Sequence, residues 1–198
     1  MNIDLKERQN LVTLLVVLSL TIIGMYLRWY NLHLWSFEID GINSVERALG
    51  KLRHLFAKTI HEFHPPLVSL IIRFITEKPF TIEMHNTARL VSLIPGILLI
   101  PAFYWLGYEA TKKRLGGIIM AVMATFSAEI VILSQGLRGY MMQVFFLSLS
   151  LATILSYERT NKKYLLFMYS VFATLSICAE YSSSLLVITI FIYGLFNK

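Results

Sequence analysis

Two acidic residues that could act as a general base lie shortly after the first apolar segment. Glu38 and Asp40 follow Leu34 and Trp35, close to where that segment ends. A carboxylate held near the reacting groups can take the proton of an acceptor hydroxyl. Alternatively, both are solvated loop acids, or Asp40 and Gly41 form a simple turn. The two carboxylates are therefore candidate catalytic residues.

Arginine side chains at the ends of apolar segments are candidate phosphate ligands. Arg89 precedes the second long apolar segment, and Arg138 lies between the third and the fourth. A guanidinium group can hold two phosphate oxygens and does not lose its charge. Tyr140 could add a hydroxyl donor beside Arg138. Snorkelling to lipid head groups is the alternative interpretation of each arginine.

Three further residues have positions that suggest a site. An ionisable group within or at the end of an apolar segment is costly and by default indicates function, which applies to Glu129 and Glu180. Glu180 also fits an exposed turn. His64 precedes Pro65 and Pro66, and proline restricts the preceding residue to extended backbone. This restriction would fix His64 at a helix junction, for a site or for packing alone.

The sequence gives little support for a metal or another cofactor. His54, His61 and His64 lie near Glu62, but their spacing matches no defined metal site, so a divalent metal is unsupported and the cofactor is unknown. Cys178 is the only cysteine, which excludes a disulfide within the chain and a thiolate cluster. The net charge of +6 suits anionic lipid head groups, and no nucleic-acid module is recognisable.

The composition is that of an integral membrane protein. Of the 198 residues 56% are hydrophobic and 15% are charged, whereas a soluble domain carries about 25% charged residues. A span needs about 17–25 mostly apolar residues, and the apolar runs predict six helical spans in one all-α membrane domain. The predicted spans are about 10–28, 89–109, 115–136, 139–157, 163–179 and 181–197. The first is expected to be a retained anchor rather than a signal peptide, because no small-residue cleavage site follows it.

A large loop, 29–88, separates the first two predicted spans. Apolar residues recur every three or four positions over Ile42–Phe63, which predicts an amphipathic helix along the membrane surface. Pro66–Ile75 is apolar but too short to span, which favours an interfacial helix that begins at the prolines. Basic residues concentrate in the short loops of one side, so both termini are expected in the cytoplasm. The large loop would then be periplasmic, extracellular or luminal.

The order of these features resembles the N-terminal membrane half of the C-type glycosyltransferases, specifically the protein-mannosyltransferase and aminoarabinose-transferase-like superfamily. The resemblance covers about residues 11–196. It rests on Leu34-Trp35 before an acidic site, His64-Pro65-Pro66-Leu67, Ala88-Arg89-Leu90-Val91-Ser92, Pro101 with Tyr104-Trp105-Leu106-Gly107, Ser134-Gln135-Gly136-Leu137-Arg138-Gly139-Tyr140, and Glu180-Tyr181. No single motif is specific; the order and spacing together carry the resemblance.

The resemblance implies transfer of a sugar from a polyprenyl-phosphate donor to an acceptor at the outer membrane face. It implies Glu38 or Asp40 as the base and Arg89 and Arg138 as ligands of the donor phosphate. The remaining candidates would shape the pocket; they are His64, Tyr140 and Glu180. The implied partners are the lipid-linked sugar, membrane lipids and a second membrane subunit that supplies further spans.

The chain departs from the family at three site positions. Phe37 stands where an Asp is usual, Gly136 where an acid is usual, and Glu180 where a His is common. Relatives also continue through more spans. The alternative function is therefore a non-catalytic membrane subunit or a split-enzyme half that binds a lipid or a partner protein. A small transporter is a weaker alternative, because the outer loop is large and no repeat symmetry is visible.

Overall fold

The computed structural model describes residues 5–30, 32, 39–62, 65–76 and 84–196, and in this part of the chain it contains helices and no strand. The ten helices found there are α1 (Leu5–Trp29), α2 (Ile39–Leu49), α3 (Leu52–Glu62), α4 (Leu67–Ile75), α5 (Met84–Thr111), α6 (Arg114–Phe126), α7 (Ala128–Gln135), α8 (Tyr140–Thr160), α9 (Lys163–Ala179) and α10 (Ser183–Phe196). The all-helical prediction is confirmed for the described residues.

Fewer helices than predicted are long and apolar enough to cross a membrane. Within the described ranges, α1, α5 and α8 meet that requirement, and α6 with α7 would make a fourth span if the bent pair is counted as one. With 17 residues, α9 is a shorter apolar helix, and α10 has 14 residues. The described residues thus form an all-helical structure with three candidate membrane spans, and the predicted number of six spans is not confirmed.

The apolar surface of α1 identifies the face that lipid would cover. Only 6% of its apolar window is buried, and large side chains such as Leu14, Leu18 and Ile22 are exposed along its length. Tyr26, Trp29 and Tyr30 are exposed near its last turn. Aromatic side chains of this kind concentrate at lipid–water boundaries. Exposure of such a large apolar surface to water would be unfavourable, and contact of α1 with lipid accounts for it.

Helix α5 is the central helix and packs against α1, α6, α7 and α8. Its 28 residues give a length of about 42 Å at about 1.5 Å per residue, and Pro95 and Pro101 lie inside it. Near its end, Gly107 lies so close to α6 that an added Cβ would overlap the backbone of Gly116. Small residues allow such close helix contacts, which are the main source of attraction between helices in lipid.

The predicted third span is two helices rather than one. Helix α6 ends at Phe126, Ser127 is extended, and α7 leaves at an angle of 56°. The Ser127 hydroxyl accepts a hydrogen bond from the N–H of Ile130, 3.5 Å away, and so caps α7. Glu129 is exposed in the first turn of α7, where its negative charge suits the helix dipole. The glutamate that interrupts the predicted span therefore belongs to a helix start.

Arg28 lies at this break and is completely buried. Its guanidinium donates to the carbonyls of Gly24 and Ala124, at 3.0 and 2.6 Å, and to the Ser134 hydroxyl at 3.2 Å. Ala124 is in the last turn of α6, whose carbonyls lack partners within the helix and carry partial negative charge. One arginine thus links α1, α6 and α7.

Ion pairs hold the opposite end of the bundle. The buried Glu109 carboxylate of α5 lies 2.7 Å from Arg159 of α8 and 3.1 Å from Lys112. Arg114 of α6 donates to the side chains of Gln9 and Asn10 of α1 at 2.7 Å each. We name this end the Glu109 end. The other, where α5 begins, is the Arg89 end.

The region between α1 and α5 contains three short helices. The single amphipathic helix predicted over 42–63 is broken at Gly50 and Lys51 into α2 and α3. Helix α4 begins after Pro66, as predicted. Its Arg73 donates to the Gly50 carbonyl at 2.6 Å and to that of Ala48 at 3.0 Å. A cation at these carbonyls stabilises the end of α2 and fixes it to α4.

Replacement of Arg28 by methionine should destabilise the protein by about 2–3 kcal/mol, because the Ala124 carbonyl loses a charged donor in an apolar environment. The measurement is the free energy of unfolding in detergent. Arg114→Met is the control, since Arg114 bonds to exposed side chains and its loss should cost less than about 1 kcal/mol. Equal losses in the two variants would contradict the role given to Arg28.

Candidate functional site

An apolar cluster brings six segments together at the Arg89 end. Its buried members come from α2, α4, α5, the α7–α8 turn, α8 and α9; they are Val45, Ala48, Val68, Ile72, Ala88, Val91, Leu137, Met142 and Ala179. Burial of each large side chain contributes about 1.5–3 kcal/mol, which favours this assembly over separate surface helices. The cluster therefore places the short helices beside the turns that carry the candidate residues.

Hydrogen bonds fix the turn between α7 and α8. The Ser92 hydroxyl of α5 donates to the carbonyl of Arg138 at 3.0 Å and accepts from its N–H at 3.4 Å. The Gln135 amide donates to the carbonyls of Arg28 and Tyr30, at 3.1 and 3.0 Å. The backbone of Arg138 is thus held by α5, while the end of α7 is held by α1.

Arg138 and Tyr140 lie together on this turn. The guanidinium carbon is 5.7 Å from the centroid of the tyrosine ring, within the range of a cation–π contact. Arg138 is half-buried and lines a small pocket of about 60 Å³ with Ile132, Leu133 and Gly136. A partly accessible guanidinium with a phenol beside it has suitable donors for a phosphate group.

Glu180 reaches the same turn from the other side. Its N–H donates to the Ser176 carbonyl at 3.0 Å, where it ends α9. A Cβ placed on Gly139 would be 3.3 Å from a carboxylate oxygen of Glu180. The Ser176 and Ser183 hydroxyls, 2.7 Å apart, hold the following turn together. The structure therefore pairs Arg138 with Tyr140 and places the Glu180 carboxylate beside Gly139, the residue between them.

Arg89 is more deeply buried than Arg138, Tyr140 and Glu180. Its side chain is 2% exposed, and its guanidinium donates to the carbonyl of Leu32. This bond attaches the segment after α1 to α5 one turn before Ser92. The predicted contact of Arg89 with a donor phosphate stays a prediction, since the structure gives this side chain a contact within the protein.

The predicted acids and the histidine are only partly described. Glu38 and His64 lie outside the described residues, as does the side chain of Asp40. Asp40 is the second residue of α2, and Val45 of the same helix belongs to the apolar cluster that contains Leu137. The second half of α2 is thus attached to the Arg89 end. The roles predicted for the acids and His64 stay predictions.

Two buried arginines are absent from the candidate residues taken from the sequence. Arg28 is the charged residue at the end of an apolar run and follows Gly24 by one turn. An ionisable residue in that position is a signal of a specific role. Arg47 of α2 is 4% exposed and donates to the Ser44 hydroxyl at 3.1 Å. The sequence pattern carried no comparable signal for Arg47.

No metal-binding group of three His, Cys, Asp or Glu side chains occurs in the described part of the chain. The side chain of His61 and all of His64 lie outside it. Comparison of the chain with protein-family models, with curated protein sequences and with solved structures gave no match.

Gly139→Ala should separate the α7–α8 turn from α9, because the new methyl group would overlap the Ala179 carbonyl. We expect a loss of about 1–3 kcal/mol in the free energy of unfolding, measured in detergent. Gly136→Ala is the matched control in the same turn, where the nearest atoms would be 3.8 Å from the methyl group. Equal destabilisation by Gly136→Ala would contradict the role given to the close contact between Gly139 and Ala179.

Proposed function

We propose that this chain is a membrane module of a glycosyltransferase that uses a polyprenyl-phosphate-linked sugar donor. The observation that carries the proposal is the contact of Arg138 with Tyr140 at the α7–α8 turn, with the Glu180 carboxylate beside Gly139 of the same turn. Arg138 would bind the donor phosphate, and Tyr140 would donate a further hydrogen bond. Glu180 would orient these donors and shape the pocket together with His64.

The proposed reaction is displacement at the anomeric carbon. Glu38 or Asp40 takes the proton of the acceptor hydroxyl as the acceptor oxygen forms its bond to the sugar. The bond from the sugar to the phosphate breaks, and the lipid phosphate leaves with the electron pair. Arg138 stabilises the charge that develops on this phosphate. Helix α2, which contains Asp40, is attached to the Arg89 end, where Arg138 also lies. This arrangement supports a base and a phosphate ligand in the same site.

The proposed orientation has the Glu109 end in the cytoplasm. The short α5–α6 and α8–α9 connections at this end carry several basic residues, which are Lys112, Lys113, Arg114, Lys162 and Lys163. Basic residues in short loops favour the cytoplasmic side. At the Arg89 end, Arg28 and Arg89 are buried and bond to carbonyls. The Arg89 end would then be periplasmic, extracellular or luminal.

The burial of Arg89 favours a second candidate function. An arginine that bonds to the Leu32 carbonyl serves the fold, as it would in a subunit that retained the scaffold without catalysis. Such a subunit would bind a lipid or a second membrane protein. An assay of sugar transfer distinguishes the glycosyltransferase module from the non-catalytic subunit.

Arg138→Gln should weaken binding of undecaprenyl phosphate by roughly 10- to 100-fold, because a charge-assisted contact is lost. Native mass spectrometry of the purified chain, titrated with this lipid in neutral detergent, gives the affinity. Lys163→Gln is the control, since Lys163 is exposed at the Glu109 end. If the two variants bind equally well, the phosphate site lies elsewhere.

Glu38→Gln or Asp40→Asn should lower sugar transfer by about 10²- to 10⁴-fold, the usual contribution of a general base. The assay uses membranes containing the full chain and a panel of radiolabelled polyprenyl-phosphate sugars. Glu158→Gln, an exposed acid at the Glu109 end, should leave transfer unchanged. Full activity in both acid variants would exclude these residues as the base.

A further inference from the structure

A second basic pocket lies between α2 and α3. It has a volume of about 350 Å³, at the lower end of the range of about 300–1,000 Å³ typical of ligand sites. Its lining comes from the last turn of α2, the connection and the first two turns of α3; the residues are Glu46, Arg47, Gly50, Lys51, His54 and Lys58. None of them belongs to the group around Arg138.

Helix geometry explains why these side chains converge. His54 and Lys58 are four residues apart, so they share one face of α3, and Lys51 immediately precedes the helix, three residues before His54. Two residues connect α2 to α3, and the Gly50 N–H donates to the Glu46 carbonyl at 3.2 Å. The Gly50 carbonyl is bound by Arg73 of α4 at 2.6 Å. The pocket is therefore attached to a fixed turn rather than to a loose loop.

The pocket carries an excess of positive charge, which favours a negatively charged ligand. Three cationic side chains (Arg47, Lys51 and Lys58) and one carboxylate line it, which leaves a formal charge of +2 with His54 neutral. Lys58 lies 2.8 Å from Glu46, and its hydrogen bond and charge lower the pKa of that carboxyl group. Glu46 is thus ionised at neutral pH, and the excess of positive charge remains after it is counted.

Apolar side chains are also exposed on the two helices that form the pocket. Leu52 and Phe56 of α3 are 47% and 46% exposed, and Ile42 of α2 is 53% exposed. Cationic and exposed apolar side chains on the same short helices are typical of segments that lie at a membrane surface. A ligand in this pocket would therefore meet lipid on one side.

We propose that the α2–α3 pocket binds the phosphate of an anionic phospholipid head group. Arg47 and Lys51 attract the phosphate, and the exposed apolar side chains contact the acyl chains near it. The part-buried Arg73 holds the end of α2 against α4, so the bound head group would lie beside a fixed helix end. Free inorganic phosphate offers the same charge without the apolar contact.

The test uses the purified full chain in neutral detergent. Native mass spectrometry measures binding of dioctanoyl phosphatidic acid, with dioctanoyl phosphatidylcholine as the uncharged comparison, and calorimetry measures binding of inorganic phosphate. Lys51→Gln should weaken binding of phosphatidic acid about fivefold, and Lys51→Glu should weaken it further. Arg53→Gln is the matched control, because it removes one charge from the same helix outside the pocket.

Selective binding of phosphatidic acid that Lys51→Gln weakens and Arg53→Gln preserves would support the proposal. Inorganic phosphate bound as tightly as phosphatidic acid would keep the phosphate site but overturn its assignment to a lipid. Equal binding of the two lipids, or equal loss in both single variants, would overturn the site. Lys51 and Arg53 are both exposed, so unchanged circular dichroism and melting temperature are expected. This proposal does not depend on transfer activity or on Arg138.

Discussion

The buried charge of Arg28 is the constraint on which the arrangement of the bundle depends. In an apolar medium a guanidinium group must find polar partners inside the protein. The break between α6 and α7 supplies them, because the end of α6 exposes the Ala124 carbonyl. Gly24 and Gly96 leave space around the guanidinium, since a Cβ at either position would collide with Arg28 or its neighbours. The bend and the arginine therefore depend on each other.

The position of the Arg138 turn follows from this arrangement. Helix α7 leaves the break at an angle, and Gln135 at its end bonds back to the end of α1. Ser92 then fixes the Arg138 backbone on α5. A guanidinium that is partly accessible on a fixed turn is suited to recognition, because little flexibility is lost on binding. The rigidity of the candidate site thus originates in hydrogen bonds on its buried side.

The short helices give the Arg89 end a different character from the Glu109 end. At the Glu109 end, a buried carboxylate joins α5 and α8 through ion pairs. At the Arg89 end, an apolar cluster holds α2 and α4, and basic and apolar side chains remain exposed beside it. Ion pairs between helix ends stabilise a scaffold, whereas exposed groups of both kinds suit contact with lipid. The two proposed phosphate sites both lie at the Arg89 end.

The sequence by itself determined three features, because each depends on local properties of the chain. The length of the apolar runs determined the helical membrane class, and proline geometry determined the helix after Pro66. A spacing of two residues determined the grouping of Arg138 with Tyr140. It did not determine the break at Ser127, since Glu129 is the only charged residue in an otherwise apolar run there and the bend depends on Arg28 from another helix. Only the tertiary structure decided that Arg89 is buried against Leu32 while Arg138 is half-buried beside a small pocket. Both are arginines at helix ends, and the difference lies in which neighbours the packing brings to them.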